Sequence, residues 1–158
     1  MIIFSDVDGV LTDGMYYHNE EGMIGKGFST RDFHAINAFV KNGFNFVFLT
    51  AATDIATIKK IKNNKLKLIA GCKDKKEAVI STCIQQGYLA SDCIFVGDGP
   101  QDICAMQACG QCFCPYDACH AVLSVPGVNR LESCGGKGVI DELLFKLFKT
   151  EYMSIMIK

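Results

Sequence analysis

Five short apolar runs, each followed by a segment of helical character or by polar turn residues, constrain this chain more than any other feature. Ile2 to Phe4, Phe44 to Leu49, Leu66 to Ala70, Cys93 to Val96 and Gln111 to Cys114 read as strands. Mostly unbroken runs of this length mark strands covered on both faces, the pattern of a parallel sheet. Between them, Arg31 to Asn42 places Phe33, Ile36 and Phe39 near helical spacing and closes on Asn42-Gly43. Asp54 to Asn63 reads as a helix with Lys59, Lys60 and Lys62 on its solvated side, and Asp74 caps a helix that Gly87 stops after Gln86. A short helix to about Ala108 and a last one from Val139 to about Lys149 complete the pattern. The prediction is an α/β fold, a doubly wound, mainly parallel sheet with helices on both faces, in one domain spanning all 158 residues. One segment departs from the alternation. Met15 to His18, a turn at Asn19-Glu20-Glu21-Gly22, and Met23 to Phe28 carry a hairpin signature, a flap over about 15–28.

In such sheets ligands bind beyond the carboxyl ends of the strands, and there the polar residues collect. Asp6 and Asp8 follow the first strand, Thr50 the second, and Asp98 and Asp102 the fourth. Strand alternation predicts that Asp6 and Asp8 project to the same side. Converging carboxylates repel unless a divalent cation sits between them or one stays protonated. One carboxylate of such a pair can attack phosphorus while the other protonates a leaving oxygen and later deprotonates water. Gly9 lets backbone N–H groups approach a phosphate. Asp98 adds an oxygen ligand of the kind magnesium accepts, and Asp102, one helical turn on, suits a role behind the ligands. The Thr50 hydroxyl, a backbone N–H near Ala51 and the Lys75 ammonium are placed to meet charge developing on a transferring phosphoryl group.

Composition bounds the partners. A net charge of -1 offers no nucleic-acid footprint or polybasic membrane surface, so a small anionic substrate must be held by a metal or a few local cations. No stretch approaches the length of a membrane span, and Asp6 interrupts the first apolar run, which argues against a signal peptide; the expected location is the cytoplasm. The 9 cysteines are an odd number in a chain without disulfide-scaffold character. Cys109, Cys112, Cys114, Cys119 and His120 permit a zinc or redox reading, but Cys112 and Cys114 alternate as buried strand residues do.

The joint order of an acidic pair, a Thr, a Lys and Gly-Asp-x-x-x-Asp resembles the haloacid dehalogenase (HAD) superfamily of aspartyl-phosphate phosphatases. On that resemblance Asp6 is the nucleophile and Asp8 the general acid/base, Thr50 and Lys75 are the second and third motifs, and Gly97-Asp98 with Asp102 is the fourth. More narrowly, the run from Asp6 to Gly14, then Gly22, Lys26, Phe28, Arg31-Asp32 and Gly135-Gly136-Lys137-Gly138, resembles the capless phosphatases of 3-deoxy-D-manno-octulosonate 8-phosphate. The resemblance covers nearly all of the chain except the tail from about 150 to 158. It implies magnesium held by Asp6, the Asp8 backbone carbonyl and Asp98. It also implies substrate contacts from Gly9, Thr12, Lys26, Arg31, Ala51 and Lys137, and a homotetramer whose flaps close neighbouring sites.

Three positions depart from that pattern. Ala51-Ala52 stand where the octulosonate enzymes carry Gly-Arg and relatives acting on nine-carbon keto acid phosphates carry Glu at the second position. Phe33 replaces a glycine usual after Arg31-Asp32, and Lys137 stands where Arg is common. Alternative readings are a nine-carbon keto acid phosphate as substrate, a non-catalytic oligomerisation module like that of acylneuraminate cytidylyltransferases, and a signalling receiver domain. A receiver would place its phospho-accepting Asp after the third strand, where this chain has Gly71-Cys72. The tail, with Tyr152, Met153, Ile155, Met156 and Ile157, reads as a frayed end or as a segment reaching a neighbour's site.

Overall fold

The computed structural model describes residues 1–157. Strand β1 (Ile2–Ser5) is buried at every position and pairs in parallel on both sides. The hairpin β2 (Tyr17–Asn19) and β3 (Gly22–Gly25) forms a separate antiparallel pair. Then follow α1 (Thr30–Lys41), β4 (Asn45–Thr50), α2 (Ile55–Asn63), β5 (Lys67–Ala70), α3 (Lys75–Gln86), β6 (Ile94–Val96), α4 (Ile103–Ala108) and β7 (Gln111–Cys114). The chain ends with α5 (His120–Leu123), β8 (Asn129–Arg130), α6 (Val139–Leu147) and α7 (Tyr152–Met156).

The six parallel strands lie in the order β5-β4-β1-β6-β7-β8, the doubly wound arrangement expected from the sequence. Its consequence is positional. After β1 the chain first builds outward through β4 and β5, then returns to the other side of β1 with β6. The strand order therefore reverses between β1 and β6, and a crevice opens beyond their carboxyl ends. Ser5 pairs with Val96 at the last rung, and the Asp6 N–H donates to the Val96 carbonyl at 2.9 Å, so Asp6 and Gly97-Asp98 leave the sheet side by side.

Alternation sorts the apolar residues into two cores. Ile3, Phe46, Phe48, Ile94 and Val96 face α1 and α6, whereas Ile2, Phe4, Val47, Leu49 and Phe95 face the layer of α3 and α4. Cys72, Cys83, Cys93, Cys112 and Cys114 lie in this second core, and all nine thiols are unpaired. Within the first layer α1 and α6 are joined by a side-chain cap. Asp32, fully buried on α1, accepts from the N–H groups of Gly138, Ile140 and Asp141 at 3.2, 2.8 and 3.2 Å, so α1 caps the start of α6.

The structure adds to the sequence reading at the chain's end. The tail forms α7, whose Ile155 is buried in the first core, while Tyr152 packs edge-on against Phe145 and its hydroxyl donates to Asp141. It is docked on its own chain. Phe33 likewise is a core residue, with its ring 6.1 Å from that of Phe28 at the base of the flap.

Candidate active site

The site grows from the point where β1 stops. Alternation does not continue to Asp8, because the chain enters a helical turn at Val7, whose carbonyl accepts from the N–H groups of Leu11 and Thr12 at 2.9 and 3.2 Å. The two acids consequently have separate partners, which corrects the expectation of a shared face. The Asp6 carboxylate turns toward α3 and α4: it accepts from the Val7 N–H at 2.6 Å and from Gln101 at 3.2 Å, and lies 2.7 Å from the Lys75 ammonium. The Asp8 carboxylate turns toward the flap, accepting from Thr12 at 3.1 Å and from Tyr16 and Lys26 at 2.9 Å each. Its side chain stands apart from the oxygens a metal would use.

Those oxygens come from Asp6, Asp98 and Asp102, which offer carboxylate atoms within 4.8 Å of one another. Asp102 is fully buried and already occupied. One oxygen takes Lys75 at 2.6 Å and the other takes the N–H groups of Asp98 and Gly99 at 3.1 Å each, so it orients Lys75 and the Asp98 loop. Asp98 is different: its Oδ1 is buried and has no hydrogen-bond partner among the described residues. A buried carboxylate oxygen left without a donor is costly unless a cation completes it. A hard, oxygen-seeking divalent ion fits this set of donors.

Electrostatics carries the same message. Burial pushes the Asp6 carboxyl up to about 7, helped by the negative charge of Asp102 and opposed by Lys75. Burial and Asp102 likewise push Asp98 up to about 6. Burial opposes the charge on Lys75, but Asp6 and Asp102 outweigh it and hold the ammonium above its ordinary value. Lys75 opens α3, where the helix dipole disfavours a cation, so its placement answers to the two acids and not to the helix.

Glycine permits the close approach. Gly9 has φ +81°, and a Cβ there would fall 2.0 Å from Asp98 Oδ2. Gly135 brings the glycine-rich segment against the same loop, where a Cβ would lie 2.3 Å from the Gly9 carbonyl oxygen. Thr50, buried at the end of β4 beside β1, accepts from the Ala52 N–H at 3.1 Å, and Ala51 is exposed just beyond it. Thr12 holds Asp8 and accepts from the Gly14 N–H at 3.2 Å.

The other expected substrate contacts divide. Lys137 is exposed and lines a small cavity of about 140 Å³ with Asp13, Gly27, Phe28 and Gly136, between the flap and the glycine-rich segment. Arg31 lines a different cavity, of about 840 Å³, between α6 and the β7–β8 edge, beside Asp141 and Tyr152. This larger space is lined by none of the clustered carboxylates. Lys26 reaches the site from the flap and is bound to Asp8, Asp54 and Thr57. Sequence reasoning missed Gln101, Tyr16 and Asp54. Gln101 sits between two motif acids and was legible in principle, whereas Tyr16 and Asp54 are joined to the site only by how the flap folds back.

Comparison with known proteins bears on this geometry. The curated 3-deoxy-D-manno-octulosonate 8-phosphate phosphatase KdsC of Haemophilus influenzae is 30% identical over 142 residues, covering 89% of this chain and 78% of that protein. The chain belongs to the KdsC phosphatase family. No family model matches it. The cobalt-bound deoxy-D-mannose-octulosonate 8-phosphate phosphatase (YrbI) from Haemophilus influenzae is 25% identical with a TM-score of 0.89, over 99% of this chain and 96% of that one. The 3-deoxy-D-manno-octulosonate 8-phosphate phosphatase of Moraxella catarrhalis, solved with magnesium, phosphate and a KDO molecule, has a TM-score of 0.90 at 23% identity, over 99% and 91% of the two chains. Membership in the KdsC family places the chain in the HAD superfamily, as its motif order implied.

Proposed function

We propose that this protein is a magnesium-dependent phosphatase that hydrolyses 3-deoxy-D-manno-octulosonate 8-phosphate through an aspartyl-phosphate on Asp6. The observation that carries the reading is the buried cluster of Asp6, Asp98 and Asp102 around Lys75, with one Asp98 oxygen lacking any donor. In the first step an Asp6 oxygen attacks phosphorus, the bond from phosphorus to the sugar oxygen breaks, and Asp8 gives that oxygen its proton. In the second, Asp8 takes a proton from water, whose oxygen attacks phosphorus; the bond from phosphorus to the Asp6 oxygen breaks, which frees the Asp6 carboxylate and releases inorganic phosphate. Lys75 and the Thr50 hydroxyl meet the charge spread over the equatorial oxygens, and Gly9 leaves room for the phosphoryl group against the backbone.

Magnesium, held by Asp6, the Asp8 carbonyl and Asp98 with Asp102 behind them, supplies positive charge to the nucleophile and the phosphoryl oxygens when bound. Lys137 and the small cavity under the flap belong to the sugar-acid side of the site. We assign the active form as a cytoplasmic homotetramer. Met15, Tyr16 and Tyr17 leave exposed apolar surface on the flap for a neighbouring copy, and no helix among the described residues is long and apolar enough to cross a membrane.

The test is phosphate release from a panel of sugar phosphates, including eight- and nine-carbon keto acids, with magnesium and with EDTA. Turnover that needs the metal, disappears in Asp6→Asn and favours the eight-carbon acid is expected. No release from any member by folded protein would overturn the enzyme reading, and preference for a nine-carbon acid would overturn the substrate.

A further inference from the structure

The flap is a poor structure by itself. Strand β2 is exposed at all three of its residues, and a lone two-stranded hairpin is marginal in water. Yet Lys26, just after β3, has a side chain only 1% exposed. A lysine is almost never buried so fully unless paired. Its ammonium has three protons and uses all of them, toward Asp8 Oδ2 at 2.9 Å, Asp54 Oδ2 at 2.9 Å and Thr57 Oγ1 at 3.2 Å. The Tyr16 ring lies 4.5 Å from the same ammonium, and its hydroxyl donates to Asp8 Oδ2. Both flap residues converge on one carboxylate.

Asp54 does two jobs with its two oxygens. Oδ1 caps α2 by accepting from the Thr57 N–H at 2.8 Å, and Oδ2 takes Lys26. Burial works against the charge on Asp54, but the Thr57 N–H and Lys26 outweigh it and hold the carboxyl below its ordinary value. This carboxylate stands two residues beyond Ala52, at the start of α2.

We propose that Lys26 is a positioning residue which, fastened by Asp54 and Thr57, latches the flap over its own chain's Asp8 and aims that carboxylate. The aiming rests on the phosphatase reading above; the latch does not. Without Asp54 the ammonium would keep one carboxylate and one hydroxyl, and within its own chain the flap would lose a tie to α2.

Asp54→Asn and Asp54→Ser separate the two jobs, because both retain a side chain that caps a helix and neither retains the charge. Amide hydrogen exchange is measured on the full chain for these variants, Lys26→Met and the unmodified protein. Exchange over residues 15–28 is expected to accelerate about tenfold in all three variants while α2 keeps its protection. In phosphate release kcat should fall about tenfold with a smaller change in KM, and Asp54→Glu should recover part of it. Unchanged exchange in the flap, or acceleration confined to α2, would overturn the latch. If the unmodified protein released no phosphate, the phosphatase reading would fail, and the exchange measurement would still decide the latch.

Discussion

Removing the divalent ion should make the protein lose stability as pH rises from about 4 to about 7, the reverse of ordinary acid denaturation. Burial and the charge of Asp102 hold Asp98 up at about 6 and Asp6 up at about 7, against 3.8 for each in the unfolded chain. A carboxyl whose folded value is raised binds its proton more tightly when folded. Its contribution is fully present below the unfolded value and is lost as pH climbs through the folded one. For Asp98 the rise from 3.8 to about 6 corresponds to about 3 kcal/mol. In a domain of this size that is a fall in Tm of roughly 6–12 °C, with Asp6 acting in the same direction up to about pH 7. Asp54 and Glu142, both held low, act with the opposite sign only below about pH 4–5, outside most of this window. The assay is thermal unfolding in EDTA from pH 4 to 8, repeated with millimolar magnesium at pH 7.5. The ion should restore most of the loss, because it replaces the proton as the partner of Asp98 Oδ1. Asp98→Asn should flatten the metal-free profile and gain little from magnesium. A metal-free Tm that stays level or rises between pH 4 and 7 would refute the electrostatic reading of the cluster.

Three further outcomes follow from the same contacts. Gly9→Ala, with φ at +81° and a Cβ 2.0 Å from Asp98 Oδ2, should cost about 2 kcal/mol or more and weaken magnesium binding measured by calorimetry, since Asp98 must move. Lys75→Met strands the buried Asp6 and Asp102, so metal-free stability should drop by about 3–5 kcal/mol in denaturant titrations, and phosphate release should fall by at least 10²-fold. Asp32→Ala removes the acceptor of three α6 N–H groups and should destabilise by about 2–3 kcal/mol, with Asp32→Asn costing roughly half as much.

The strands and most helices were legible because their signals are local. Gln111 to Cys114 is a strand at the expected bounds, and Asp74 and Gly87 do cap α3 where their side-chain chemistry implies. What escaped is set by tertiary context. Strand β8 is two exposed residues that exist only because β7 offers an edge, and α7 forms on the face that α1 and α6 present. Within the site, Asp6, Asp98, Asp102 and Lys75 were recoverable from motif spacing, and the structure brings them together. The direction of the Asp8 side chain was not. Period-two reasoning holds only while the strand lasts, and β1 ends one residue before Asp6. Asp32 shows the same limit, since nothing in its neighbourhood announces that it caps a helix more than a hundred residues on.

The charge count at the crevice explains why so weakly charged a protein can take a phosphate dianion. Asp6, Asp98 and Asp102 bring three negative charges to a buried volume where Lys75 supplies one positive. The chain's net charge of -1 adds no attractive field. As it stands this volume would repel a phosphate, and burial, with the charge of Asp102 behind it, gives Asp6 and Asp98 a demand for protons. A divalent ion brings the local sum to zero, so the incoming phosphoryl group meets a neutral site with a cation on one side and Lys75 on the other. The flap brings no free charge to the cluster, because the Lys26 ammonium is spent on Asp8 and Asp54. Metal therefore comes before substrate in this arrangement, and phosphate or a sugar phosphate should bind the metal-free protein far more weakly than the loaded one. Calorimetric titration with inorganic phosphate at pH 7.5, with and without magnesium, measures that order directly. Equal affinity in the two conditions would mean that the acids do not face the bound phosphate.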